Sequence, residues 1–76
     1  MDAQRRAFAI RLGNALRERR ISVGLQQGEV ADQLGVSQTF VSKIELAERR
    51  VEVFDLVRLC RLYGANAAEL LKELGS

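Results

Sequence analysis

Apolar positions in this chain recur at spacings of three and four rather than two. Phe8, Leu12, Ala15 and Leu16 form one stripe between residues 3 and 22. Val30, Ala31 and Leu34 form another, and Val53, Leu56, Val57, Cys60 and Tyr63 a further one. Such spacing places side chains on one face of an α-helix. No two-residue alternation survives more than a few positions, so no strands are expected. Gly24, Gly35 and Gly64 each follow one of these runs, just past a helix end, where a left-handed backbone suits glycine. Ser37 can cap a helix, and Asn66 with Glu69 makes an opening like a capping box. The pattern predicts an all-α chain of five helices near residues 3–22, 27–34, 38–46, 53–63 and 67–74. One domain spans 1–76, with no internal repeat or flexible linker.

The stretch SQTFVSKIELAERR, residues 37–50, stands apart. On a helix starting after Ser37, Phe40, Val41 and Ile44 share one side, and Phe40 is read as a partly buried packing residue. Gln38, Thr39, Ser42 and Lys43 share the other side, a hydrogen-bonding face with a single charge. A solvated helix surface would more usually carry Glu–Lys pairs. Only a short turn holding Gly35 and Val36 separates this helix from the one before it. Two helices joined this way form a helix-turn-helix, whose second helix can present its outer face to a DNA groove.

Composition narrows the function. With 47% hydrophobic and 29% charged residues, the chain is globular rather than disordered. The net charge of +2 does not announce nucleic acid, but its distribution is uneven. Residues 1–20 hold six arginines against Asp2 and Glu18, while each later portion is slightly acidic. That run is either a solvated helix or part of a phosphate-facing surface. There is no histidine, and the single cysteine, Cys60, falls on an inner helical stripe. No internal disulfide, metal centre, cofactor or acid–base machinery is expected, and no enzyme activity. No small-molecule pocket is evident. Apolar stretches such as 7–10 are too short for a signal core or a membrane span, so a cytoplasmic address is expected.

The pieces Leu12-Gly13, Leu16-Arg17, Arg20, Gly24-Leu25, Gln27, Ala31, Leu34-Gly35-Val36-Ser37, Val41-Ser42-Lys43-Ile44-Glu45 and Gly64 follow one another in order within residues 11–72. Together they resemble the Xre-type helix-turn-helix family, which includes Cro and lambda-type repressors and restriction-modification controllers. The resemblance implies a compact five-helix, lambda-repressor-like domain that binds double-stranded DNA as a homodimer. It implies base reading by Gln38, Thr39 and Lys43, with Ser42 on the same face. Their chemistry agrees: Gln can pair with adenine, Thr offers a hydroxyl and a methyl, and Lys can reach guanine. Gln27 resembles a glutamine that contacts a phosphate and braces the recognition helix. Ser37 opens that helix, where a phosphate is favoured. Arg17, Arg49 and Arg50 are read as further phosphate contacts. Related members also pair an arginine late in helix 1 with a glutamate ending helix 3, here Arg20 and Glu45.

Other positions depart from the family pattern or stay open. Leu46-Ala47 stands where relatives often have a polar residue followed by glycine, so helix 3 should run on or end in a looser turn. Leu46 either weakens nonspecific DNA affinity or touches a partner chain. Gln26 and Gly28 should make the start of helix 2 less stable. Phe54, Leu62, Leu70, Leu71 and Leu74 supply a candidate dimer interface, unless the leucines merely close the monomer core. A sequence-specific transcriptional regulator binding a palindromic operator is the leading reading. The alternative is an antitoxin-like or adaptor module that chiefly grips another protein.

Overall fold

Capping residues and left-handed turns set where each element begins and ends. The computed structural model describes residues 2–75. These form α1 (Ala3–Ser22), α2 (Gln27–Leu34), α3 (Gln38–Glu45), α4 (Val53–Leu62) and α5 (Ala67–Leu74), with no strands among the described residues. Asp2 starts α1, its carboxylate accepting the Arg5 amide at 2.8 Å. Ser37 Oγ accepts the Phe40 amide at 3.1 Å, and Asn66 Oδ1 accepts the Glu69 amide at 3.0 Å. Each such bond satisfies an amide that the first helical turn leaves unpaired. At α2, Glu29 compensates for the poor cap by accepting the Gln26 amide at 2.8 Å. Gly35 ends α2 at φ 70°, and Val36 N–H then reaches the Ala31 carbonyl at 3.0 Å. That closure swings the chain directly into Ser37 and α3.

α1 is the spine. Its 20 residues, about 30 Å of helix, account for the longest molecular dimension of 32 Å. α2 packs on α3, α1 packs on both α3 and α5, and α4 packs on α5. Leu12 and Leu16 from α1, Val30 and Ala31 from α2, and Val41 and Ile44 from α3 meet in the core. Leu56, Leu59, Cys60, Tyr63 and Leu70 complete it from the C-terminal side. Full burial of a side chain such as Leu16 or Ile44 contributes about 1.5–3 kcal/mol.

Gly13 governs how closely α1 and α3 approach. A Cβ at that position would lie 2.5 Å from the Glu45 carbonyl oxygen and 2.8 Å from that of Ile44. Only glycine therefore lets α1 lie against the last turn of α3. Arg58 makes another tether, donating to the Leu34 carbonyl at 2.8 Å and tying α4 to the end of α2.

Three expectations need correction. Helix 3 ends at Glu45 rather than 46, because Ala47 takes a left-handed φ of 60° and forms the sharp turn without glycine. Helix 4 stops at Leu62, with Tyr63 as its cap. Leu70, placed by sequence at a dimer surface, is only 1% exposed and belongs to the monomer core. α5 presents it inward, between the more exposed Glu69 and Leu71.

Candidate nucleic-acid interface

α3 is held on one side and open on the other. Val41 and Ile44 are buried, whereas Gln38, Thr39 and Lys43 are exposed and Ser42 is half-buried. Gln27, Gln38, Thr39, Ser42, Lys43 and Glu48 line one shallow recess of about 450 Å³. Five of these residues were expected to contact DNA, and the fold brings them together. Glu48 was not among them; it arrives because the turn at Ala47 folds the following segment back beside α3. Gly28 also has a role the sequence did not disclose. A Cβ there would sit 3.5 Å from Gln38 Oε1, so the Gln38 side chain lies across the start of α2.

Beneath the recess, a buried polar network fixes α3. Arg20 Nε donates to Glu45 Oε2 at 2.7 Å, and Nη2 to Oε1 at 3.1 Å. Arg20 Nη1 donates to the Leu25 carbonyl at 2.8 Å, binding the α1–α2 turn into the same cluster. Gln27 Nε2 donates to Glu45 Oε1 at 2.9 Å. Its second amide hydrogen remains for an outside acceptor such as a phosphate. The hydrogen bonds to Glu45 raise the Arg20 pKa above its ordinary value, overcoming the opposing effect of burial. The pair is bidentate and nearly dry.

The expected phosphate contacts are more scattered. Ser37 caps α3, and its hydroxyl hydrogen is still available to a ligand. Arg49 folds over the Phe40 ring, its guanidinium carbon 4.3 Å from the ring centre. That cation–π contact keeps Arg49 beside α3 and half-buries Phe40, in keeping with a packing role for the ring. Arg49 and Arg50 line a larger groove of about 840 Å³, floored by Phe8, Leu12 and Ile44 and rimmed also by Arg5 and Arg6. Arg17 is exposed on α1 but lines neither concavity. Arg6 was missed by sequence reasoning: its Nη1 donates to the Ala47 carbonyl at 2.7 Å. A contact spanning 41 residues leaves no local pattern by which to find it.

The candidate dimer residues divide. Phe54 is 67% exposed and Leu71 40%, while Leu62 and Leu74 are half-buried against the core. Val53, not singled out from sequence for this role, is the most exposed large apolar side chain among the described residues, at 77%. Leu46, just past the end of α3, is also well exposed. No helix among the described residues is long and apolar enough to cross a membrane.

Comparison with known proteins bears on the same surfaces. No curated protein matches the sequence. Among solved structures, an XRE-family like protein from Pseudomonas syringae pv. tomato str. DC3000 is 41% identical. The match covers 93% of this chain and 84% of that one, with a TM-score of 0.79. The clp gene regulator ClgR from Corynebacterium glutamicum is 31% identical over 88% of this chain and 71% of its own, with a TM-score of 0.82. The restriction-modification controller protein C.AhdI from Aeromonas hydrophila is 27% identical over 82% of this chain and 94% of its own, at a TM-score of 0.75. A helix-turn-helix domain family model matches residues 11–74, from the middle of α1 to the end of α5. The chain belongs to the helix-turn-helix domain family, with α2 and α3 as its helix-turn-helix.

Proposed function

We propose that the protein is a sequence-specific DNA-binding transcriptional regulator that inserts α3 into the major groove of a palindromic operator as a homodimer. One observation carries this reading: the outer face of α3 gathers Gln38, Thr39, Ser42 and Lys43 in one open recess, while its inner face is locked by Arg20, Glu45 and Gln27. A helix with its side chains is about 10–12 Å across, which suits the roughly 12 Å width of the major groove. Gln38, Thr39, Ser42 and Lys43 read base edges. Gln27 and Ser37 take phosphates at the helix starts, and Arg17, Arg49 and Arg50 take phosphates on either flank. The reading is supported by the regulators among the structural relatives. A cytoplasmic address goes with it, since the operator lies there.

Two-fold symmetry would place half-sites about one helical turn, ~10 bp, apart. Exposed Phe54 and Leu71, joined by Val53, supply the apolar part of the dimer surface, with Leu62 and Leu74 behind them. Selection of bound duplexes from a random pool tests the whole reading. The expected outcome is enrichment of an inverted repeat with that spacing. A pool that stays random after repeated rounds would reject sequence-specific regulation and favour the protein-interaction module, for which Val53 and Phe54 offer a contact surface.

A further inference from the structure

The turn that ends α3 is built on a residue ill suited to it. Ala47 stands at φ 60°, the left-handed region where a Cβ crowds the backbone. Its own amide bonds to the Ile44 carbonyl at 3.1 Å, and the next amide, of Glu48, to the Lys43 carbonyl at 2.8 Å. Those bonds close the turn on the helix side. On the other side the Ala47 carbonyl points at α1, where Arg6 Nη1 donates to it at 2.7 Å in a partly buried setting. Ala47 itself is only 6% exposed. Two residues later Arg49 lies over Phe40, and Arg50 follows. The direction in which this arginine pair leaves α3 is therefore set at Ala47.

We propose that Arg6 is a positioning residue for DNA binding. Its guanidinium holds the strained turn at Ala47 and so fixes the course of Glu48, Arg49 and Arg50 beside the recognition helix. The inference rests on the DNA-binding reading above. Arg6 differs in this from Arg49 and Arg50, because one of its N–H groups is bonded to a carbonyl of its own chain. The arrangement also assigns work to the N-terminal third of α1, which lies ahead of the residues that the family model matches.

A double-mutant cycle tests it. Arg6→Met keeps the apolar stem but removes donor and charge. Ala47→Gly removes the strain that Arg6 is proposed to restrain. Affinity for a selected duplex and thermal melting are measured for both single variants, the double variant and the parent, with affinities taken over a salt series. Arg6→Met should weaken binding on the order of threefold to tenfold and lower the melting temperature, leaving the salt slope unchanged. With Ala47→Gly present, both losses should shrink to less than half. Equal losses in both backgrounds would overturn the proposal. So would a slope reduced by about 0.9, the mark of a direct phosphate contact. If the parent showed no sequence preference, the regulator reading would fall, while the melting data would still decide whether Arg6 restrains Ala47.

Discussion

Arg20 and Glu45 lie 25 residues apart in sequence, yet the guanidinium holds both carboxylate oxygens, at 2.7 and 3.1 Å. The pair joins the last turn of α1 to the last turn of α3, and at 9% and 6% exposure little water reaches it. Breaking it leaves one charge buried without its partner. Arg20→Ala should lower stability by about 3–5 kcal/mol. In a domain this small each kcal/mol is worth about 4–8 °C of melting temperature. DNA affinity should fall with it, because Gln27 loses the fixed Glu45 carboxylate that orients its amide. Calorimetry and anisotropy on the same sample check both; unchanged melting would mean that the pair does not set the angle of α3.

Gly13→Ala separates close packing from helix propensity. In an open helix this change normally stabilises by roughly 1 kcal/mol. Here the added methyl meets the Ile44 and Glu45 carbonyls at distances no real contact tolerates. We expect a loss of about 2 kcal/mol or more and weaker DNA binding, because α3 must move away from α1. A urea midpoint equal to or above that of the parent would show that the two helices do not approach as described.

Tyr63 supplies a pH dependence. Burial, with the nearby Glu45 charge adding and Arg20 opposing, pushes its phenol up to about 12 from an ordinary value of 10.0. The folded state then holds its proton more tightly than the unfolded chain does. The associated stability is complete below pH 10 and is lost as pH climbs towards 12, by about 2–3 kcal/mol in all. Cys60, also raised by burial, titrates with the same sign, and it is present in both parent and Tyr63→Phe. The difference between these two in urea midpoints from pH 9 to pH 12 should therefore isolate Tyr63, with the variant showing the flatter profile. Parallel profiles would contradict this.

Glu48 places a carboxylate among the proposed DNA contacts. Glu48→Gln removes a charge that would lie close to the phosphate backbone if α3 enters the groove as proposed. Binding to any duplex should strengthen about twofold to fivefold at low salt, with the gain fading as salt rises. Anisotropy with selected and scrambled duplexes checks this. A loss confined to the selected duplex would instead make Glu48 a base-reading residue, accepting from a cytosine amino group.

Local features carried most of the fold. Gly24, Gly35 and Gly64 marked helix ends, Ser37 and Asn66 marked starts, and periodic apolar positions named the core face. Each signal acts within a few residues, so sequence displays it directly. The turn at Ala47 was illegible for the opposite reason. Its left-handed backbone is held by Arg6 from the far end of α1, and alanine gives no local hint of it. Leu70 and Leu71 show another limit. As neighbours on α5 they point in different directions, and periodicity alone does not say which of them its own monomer covers. At the candidate interface, the exposed face of α3 was readable because its angular pattern is local. Glu48 joined it only through the fold-back after Ala47.

On the proposed reading, the exposed face of α3 takes the base edges while the flanking arginines hold the backbone. Fluorescence anisotropy against DNA upstream of the protein's own reading frame, compared with a scrambled duplex over a salt series, tests it most directly. The parent should prefer the upstream DNA by 10³-fold or more, in the range of roughly 10³–10⁷ for specific binders. Gln38→Ala should erase much of that preference without changing the salt slope, and Arg50→Ala should reduce the slope by about 0.9 at nearly constant preference. Equal affinity of the parent for the upstream and scrambled duplexes at every salt concentration would mean that α3 does not read base sequence.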